Sequence, residues 1–205
     1  MRKIDTSDAE VLNSLLIAMG AAGFVLTYIT LGKFVFECYT DQSNLLMMIT
    51  SGFFLYYLRR EREIPKWLRI LRYMAVLNLV VTFLVVLFVL IPMNNFDFGY
   101  CLFYRSMVFH HTSIPILSLF MFLKIDRIGN EPLSKKESAL ALLWTIFYAV
   151  FVITMNIIRV LDGPYPFVQV YRQPVWATVL WITGIILATF GISNLIRIVR
   201  NRLRK

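Results

Sequence analysis

The chain has 205 residues, of which 59% are hydrophobic and only 16% are charged, and its formal net charge is +9. Soluble domains average about 45–50% apolar and about 25% charged residues, so the composition excludes an ordinary water-soluble protein. It predicts instead an all-α integral membrane protein that forms a single membrane domain over residues 1–205.

Six apolar stretches are each close to the roughly 20 residues that cross a bilayer as a helix. They cover residues 11–32, 41–58, 68–91, 101–123, 138–158 and 174–198. The connections between them are short, which favours antiparallel neighbours in one bundle. The sequence therefore predicts a six-transmembrane-helix bundle. Ser134, followed three residues later by Glu137, predicts a capping box at the start of the fifth span.

The distribution of positive charge predicts the orientation of this bundle. With the N-terminus inside, the inner segments hold 17 of the 21 Lys and Arg residues. The outer segments hold the other 4, Lys33, Arg105, Arg159 and Arg172. The positive-inside rule then puts both termini in the cytoplasm and the protein in the plasma membrane. The basic tail 197–205 is expected to contact anionic lipid headgroups, and no nucleic-acid partner is expected.

Two cysteines, Cys38 and Cys101, fall at the predicted outer ends of the second and fourth spans. An oxidising environment could join them in a disulfide that connects these two spans. They could equally be two small apolar residues that fill space between helices. The sequence leaves both interpretations open.

The second span begins with five consecutive polar residues, 40–44. Thr40, Ser43 and Asn44 follow helical spacing and are expected to share one face. A functional cluster would explain so many polar groups at the start of a span. The alternative is that Thr40 or Asp41 is simply the N-cap, which accepts hydrogen bonds from the first free amides of the helix.

The only two histidines, His110 and His111, lie side by side inside the fourth predicted span. Ionisable groups at bilayer depth cost at least ~2.5 kcal/mol when charged, which marks such a position as a candidate functional site. Pro115 cannot donate to the carbonyl four residues earlier, so a bend is expected with a free acceptor at His111. On a continuous helix, Tyr104, His111 and Ser118 share one face. The alternative is that one histidine hydrogen-bonds a neighbouring helix and stabilises packing.

Several residues near the outer ends of the spans are candidates for substrate binding. Arg105 and Arg159 could together hold an anionic headgroup or a carboxylate, or could simply extend to the outer interface. Asn156 shares a face of the fifth span with Arg159. In the next loop, Tyr165 and Phe167 alternate with prolines, so this stiff segment is expected to cover the bundle as a lid or to anchor it in the interface.

A hydroxyl beside a buried, neutral imidazole is the minimum for nucleophilic acyl transfer to and from an ester. Asp41 and Asp162 are candidates to orient the imidazole, and Asn44 or a nearby main-chain amide is the candidate oxyanion donor. Metal chemistry is not expected, because adjacent histidines diverge on a helix and the sequence has no zinc motif. No cofactor is expected either, since no glycine-rich phosphate loop is found.

Three segments in order, 39–46, 111–115 and 164–167, resemble the androgen-induced membrane hydrolases and their small bacterial relatives. The resemblance covers most of the chain and implies a six-span threonine hydrolase acting on fatty-acid esters of hydroxy fatty acids. It places the nucleophile at Thr40 and the base at His111. From their positions in the sequence, we expect a supporting role for Ser43, Asn44, Asp41, His110, Tyr104 and Asn156. The residues directly after Thr40 match the bacterial branch better than the animal one.

The implied partner is a lipid or fatty-acid ester within the membrane. A non-catalytic lipid-binding or transport protein is the alternative, with the polar cluster solvating a headgroup. A proton relay through both histidines is a weaker alternative, because it requires polar groups on both sides of the membrane.

Overall fold

The computed structural model describes residues 6–126 and 131–203, and within these ranges it contains helices and turns but no strand. The α-helices are α1 (Thr6–Leu31), α2 (Tyr39–Arg59), α3 (Lys66–Val85), α4 (Phe98–Phe103), α5 (Ile114–Lys124), α6 (Lys135–Leu140), α7 (Leu143–Ile157) and α8 (Val175–Leu203). A π-helical segment, Val86–Leu90, and one turn, Ile91–Met93, extend α3, and another π-helical segment, Val108–Ser113, leads into α5. Short 3₁₀ helices are Gly32–Phe36 and Pro166–Val168.

Four helical stretches in the described residues are long and apolar enough to cross a membrane: Ser7–Phe36, Lys66–Met93, Lys135–Ile157 and Val175–Leu203. The prediction of an all-α membrane protein is confirmed at this level. α2 has 21 residues but a polar face, and the apolar helix Val108–Lys124 has 17 residues. The six-span arrangement and its orientation therefore stay predictions.

The helices pack around α3. α1 packs along α2, and α2 packs along α3, which also contacts α5 and α8. α8 closes the bundle against α5 and α6. In the core, the rings of Tyr73 and Phe122 stack 5.2 Å apart, and the hydroxyl of Tyr73 hydrogen-bonds Ser193 of α8. Large apolar side chains such as Ile29, Phe88 and Leu180 point away from the bundle and are exposed, as expected for lipid-facing helices.

The predicted inner end of the bundle holds buried ion pairs. Arg72, fully buried, contacts Asp126 at 2.9 Å, and Arg69 contacts Glu137 at 2.9 Å. Arg200 donates to the main-chain carbonyl of Asp126 at 2.8 Å. Arg69, Arg72 and Arg200, which the charge count assigns to the inner side, are thus buried and bind other parts of the protein.

The capping box predicted for the fifth span is confirmed. The Ser134 hydroxyl accepts from the amide of Glu137, and the Glu137 carboxylate accepts from the amide of Ser134 at 2.8 Å. Because the same carboxylate pairs with Arg69, this local helix start is also tied to α3.

The prediction of one continuous helix over 101–123 is wrong. α4 ends at Phe103, Tyr104 is extended, and Arg105 has a φ of +49°, in the left-handed region that stops a right-handed helix. The apolar helix restarts at Val108. Tyr104 is therefore not on a common helical face with His111. Its ring is exposed and stacks on Tyr100 at 5.5 Å.

Candidate functional site

Thr40 lies in the first turn of α2, next to the loop 158–174 that connects α7 and α8. We call this segment the outer loop, after the side of the membrane predicted for it. Tyr165 of this loop places its hydroxyl oxygen 3.3 Å from both the amide nitrogen and the hydroxyl oxygen of Thr40. The N-cap of α2 is Cys38, without a side-chain cap. The alternative that Thr40 or Asp41 caps the helix is therefore wrong, and the buried Thr40 hydroxyl is not needed to start α2.

A cavity of about 50 Å³ adjoins Thr40, enough space for water or a small functional group. Its wall comes from α2, α3, α7, the outer loop and α8, with lining residues Tyr39, Thr40, Val81, Thr82, Val85, Val86, Leu90, Thr145, Tyr148, Ala149, Tyr165, Phe167, Val168, Ile182 and Ile185. Both loop aromatics predicted to bind substrate, Tyr165 and Phe167, are in this wall. The described lining does not include the two histidines, His110 and His111, or the two arginines predicted to bind substrate, Arg105 and Arg159.

A hydrogen-bond network that was not predicted from the sequence holds the start of α2 against α3 and α7. The Tyr39 hydroxyl lies 2.9 Å from the side-chain oxygen of Asn78 and 2.7 Å from the hydroxyl of Thr145. The Tyr148 hydroxyl donates to the main-chain carbonyl of Glu37 at 2.9 Å. Asn78 could have been found from the sequence, because it is a polar residue inside the long apolar third span.

His110 faces the polar start of α2. Its Nδ1 atom lies 2.9 Å from Oδ1 of Asp41, and both side chains are buried. Asn44 donates to the carbonyl of Thr40 at 2.8 Å and to that of His110 at 3.4 Å. On its other side, the His110 ring abuts Gly23 of α1, where an added Cβ would overlap Nε2. His110 is thus enclosed between α1 and α2, and it is not among the described residues that line the cavity.

The π-helical register changes which carbonyl loses its main-chain donor. The amide of Ile114 bonds five residues back, so the next position, Pro115, stands opposite the carbonyl of His110. The Asn44 side chain supplies the missing donor. The free acceptor predicted at His111, which assumed regular α-helix spacing, is therefore moved by one residue.

His111 has a different environment from His110. Its Nδ1 atom lies 2.7 Å from the carbonyl of Cys101, in α4. A carbonyl can only accept, so Nδ1 carries the proton, and a neutral ring then keeps Nε2 as a proton acceptor. This is the tautomer that a general base needs. In the described part of the chain, however, the Thr40 hydroxyl has Tyr165 as its hydrogen-bond partner and neither imidazole.

Ser43 and Asn156 support the local main chain. The buried Ser43 hydroxyl donates to the carbonyl of Tyr39 at 2.7 Å. Asn156, near the end of α7, donates to the carbonyl of Leu161 at 2.8 Å and accepts from the amide of Val170 at 2.7 Å. Asn156 thereby fixes both ends of the outer loop that carries Tyr165.

Arg105 and Arg159 are exposed and do not reach the cavity. Arg105 lies over the ring of Tyr104, 5.1 Å from its centroid, and Arg159 lies over that of Tyr171 at 4.6 Å. Both have positive φ angles, +49° and +60°. Their guanidinium groups belong to the outer rim of the bundle.

Both cysteines are free thiols in the structure, and both are buried. Burial, together with the negative charges of Asp41 and Glu37, raises the pKa of Cys38 to about 12. Cys101 packs in an apolar cluster with Val86 and Ile91. The geometry matches the interpretation of two apolar fillers.

Over residues 6–126 and 131–203, no group of three or more His, Cys, Asp or Glu side chains is arranged to hold a metal ion. Comparisons with family models, with curated proteins and with solved structures gave no match.

Proposed function

We propose that this protein is an intramembrane hydrolase of lipid fatty-acyl esters, with Thr40 as nucleophile and His111 as general base. The proposal includes six spans, both termini in the cytoplasm and a location in the plasma membrane. The observation that carries it is Thr40 on the wall of an apolar cavity, with its hydroxyl beside that of the half-buried Tyr165. The sequence resemblance assigns the nucleophile to Thr40 and the base to His111.

In the first step, the Thr40 oxygen attacks the carbonyl carbon of an ester in the cavity, while Nε2 of His111 takes the hydroxyl proton. This requires His111 to come within hydrogen-bond reach of Thr40 when substrate is bound, as catalytic contacts often tighten in the substrate complex. The tautomer set by the carbonyl of Cys101 leaves Nε2 ready for this proton. The contact between Asp41 and His110 connects α2, which carries Thr40, to the π-helical segment Val108–Ser113, which carries His111. It limits how far these two elements can separate.

Tyr165 is the donor that would stabilise the negative oxygen formed by this attack. Burial raises the pKa of Tyr165, so its hydroxyl keeps its proton at neutral pH. Asn44, the side chain predicted from the sequence for this role, already donates to two carbonyls. His111 then returns its proton to the leaving alcohol. Water hydrolyses the acyl-threonine, which releases a fatty acid and restores the Thr40 hydroxyl.

An activity probe tests the assignment directly. Purified protein in nanodiscs should be labelled by a lipid-like fluorophosphonate, and Thr40→Ala and His111→Ala should each abolish labelling. Thr40→Ser should retain it. Thr50→Ala is the matched control, because it removes the hydroxyl of a buried threonine on the same helix that does not line the cavity. Labelling that survives both Thr40→Ala and His111→Ala would exclude this mechanism.

A non-catalytic lipid-binding protein is the second candidate, and one observation favours it. Neither histidine belongs to the described cavity wall, so the cavity alone could hold a lipid carbonyl without chemistry. This candidate predicts saturable binding of a fatty-acid ester, no probe labelling and no released fatty acid. Release of fatty acid that depends on Thr40 would exclude it.

A further inference from the structure

A long apolar groove opens between α3 and α8 on the surface of the bundle. It encloses about 450 Å³. Its lining residues are Val81, Leu84, Val85, Phe88, Val89, Leu180, Trp181, Gly184, Ile185, Ala188, Thr189 and Ile192. Three of them, Val81, Val85 and Ile185, also line the cavity beside Thr40. The groove and the cavity therefore share part of their lining, and Thr40 lines the cavity but not the groove.

The chemistry of the groove suits hydrocarbon. Thr189, the one hydroxyl-bearing side chain in the described lining, donates its proton to the carbonyl of Ile185 at 2.7 Å and offers no hydrogen to an occupant. Trp181 adds a single indole N–H to an otherwise apolar surface. Gly184 and Ala188 leave open space in the groove, because neither has a side chain larger than a methyl group. A Cβ at Gly184 would meet nothing within 4 Å. Phe88 and Leu180 at the rim are exposed.

The cavity beside Thr40 is lined in part by residues that carry hydroxyl groups. Thr40 and Tyr165 present their hydroxyls there, and the buried Thr82 hydroxyl has no hydrogen-bond partner among the described residues. Aromatic rings connect this cavity to the groove: Tyr165 stacks on Phe167 at 5.2 Å, and Phe167 lies 5.7 Å from Trp181. A molecule that fits both regions has a long apolar tail and a small polar group at one end.

The length of the groove sets a scale for this tail. From Leu180 to Ile192, α8 advances by roughly 18 Å, at about 1.5 Å per residue. An extended alkyl chain advances by roughly 1.3 Å per carbon, given C–C bonds of about 1.5 Å. The groove therefore accommodates a chain of about a dozen carbons or more.

We propose that this groove binds the acyl chain of the substrate, which enters sideways from the bilayer with its ester carbonyl directed to Thr40. This inference rests on the proposed function and adds to it the binding site of the acyl chain and its route from the bilayer. The small residues Gly184 and Ala188 could instead accept a helix from a second copy. The three residues that the groove shares with the cavity beside Thr40 favour the acyl chain as the occupant.

Filling the groove tests the proposal. Gly184→Phe places a ring in the open space above the floor, while Gly191→Phe is the matched control on the same helix, exposed but outside the groove. Hydrolysis of esters with acyl chains from acetyl to palmitoyl would be measured in nanodiscs. Gly184→Phe should lower kcat/KM for the palmitoyl ester by about tenfold or more, with the acetyl ester unchanged. An equal loss for all chain lengths, or for both variants, would overturn the proposal.

A binding experiment separates this inference from catalysis. The Thr40→Ala variant would be irradiated with a palmitic acid that carries a diazirine near its tail, with unlabelled palmitate as competitor. Competed labelling should map to α3 and α8 at the groove and disappear in Thr40→Ala/Gly184→Phe. If labelling maps to the groove and is lost in the double variant, while the parent protein hydrolyses no ester, the groove assignment stands and the hydrolase proposal fails. If hydrolysis occurs but labelling does not map there, the groove assignment fails alone.

A helix from a second copy, the alternative occupant of the groove, would give a different experimental result. Cysteine cross-linking at Leu187, beside the groove, in membranes would join two copies if the groove held a partner helix. A dimer that Gly184→Phe disrupts, without competed labelling by the fatty acid, would overturn the acyl-chain proposal.

Discussion

The hydroxyl oxygen of Tyr165 lies 3.3 Å from both the amide nitrogen and the hydroxyl oxygen of Thr40, although 125 residues separate them in the sequence. This contact brings the outer loop onto the first turn of α2. It gives Thr40 a hydrogen-bonding neighbour that is itself held by stacking on Phe167. The loop is thus part of the candidate site and not simply a connection between α7 and α8.

Tyr165→Phe should reduce ester hydrolysis by about 10²-fold or more in kcat, the usual cost of losing an oxyanion donor. The ring and its stacking on Phe167 remain, so the thermal unfolding temperature should change little. Tyr171→Phe is the control, since this loop hydroxyl donates to the carbonyl of Ile157, away from Thr40. Equal activity in the two variants would remove Tyr165 from the mechanism.

Gly23→Ala should destabilise the protein by about 1–3 kcal/mol, because the new Cβ would meet the buried ring of His110. That ring is held by Asp41 and cannot move away without losing the contact. Gly52→Ala provides the comparison, since a Cβ there meets nothing within 4 Å, and it should be neutral or slightly stabilising. Intrinsic tryptophan fluorescence during heating measures both variants. A neutral Gly23→Ala would contradict the tight packing of His110.

Asn156→Ala should loosen the outer loop, because it removes one donor and one acceptor that bind Leu161 and Val170. We expect faster proteolysis within the loop, a stability loss of about 1–3 kcal/mol and lower activity through displacement of Tyr165. Asn194→Ala removes a half-buried asparagine on α8, which bonds the carbonyl of Phe190, and should leave loop proteolysis unchanged. Protease digestion of protein in nanodiscs, read by mass spectrometry, compares the two.

Arg72→Met should destabilise the protein by about 3–5 kcal/mol, because it leaves the Asp126 carboxylate buried without its ion pair. Arg59→Met is the matched control at an exposed pair with Glu10, where the same change should cost less than about 1 kcal/mol. Adding Asp126→Asn to Arg72→Met should recover part of the loss. Similar unfolding temperatures for the two single variants would contradict the buried pair.

The thiol of Cys38 should resist alkylation at neutral pH. Its pKa is raised from 9.0 to about 12, and the thiolate is the reactive form. The rate of modification by iodoacetamide should therefore keep rising up to about pH 11 in native protein, but level off near about pH 9–10 after denaturation in SDS. The folded state binds this proton more tightly, so its contribution to stability is present below pH 9 and is lost as the pH rises toward about 12. A native rate that levels off near about pH 9 would contradict the raised pKa.

Some features depend on residues close together in the chain, and the sequence predicted these well. The apolar runs predicted a helical membrane protein because hydropathy acts over each helix separately. The capping box at Ser134 and Glu137 was predicted for the same reason, since a few neighbouring residues determine it. The polar residues at the start of α2 were also visible as a group.

Where the prediction failed, it assumed a regular helix. The shared face of Tyr104 and His111 required an unbroken helix. Arg105 instead adopts a left-handed conformation that interrupts the helix and changes the direction of the chain. The acceptor beside Pro115 was placed by counting four residues back, whereas the π-helical segment counts five. Periodicity carries no signal for either change, because each is set by packing against neighbouring helices.

The sequence by itself determined the class of the protein, its apolar helices and the polar groups inside them. The tertiary structure alone decided which of these groups meet: His110 with Asp41, His111 with the carbonyl of Cys101, and Thr40 with Tyr165. The groove between α3 and α8 is likewise a property of two helices far apart in the chain. Hydrophobic burial fixes the elements locally, while hydrogen bonds and ion pairs between distant segments exist only once those elements have packed.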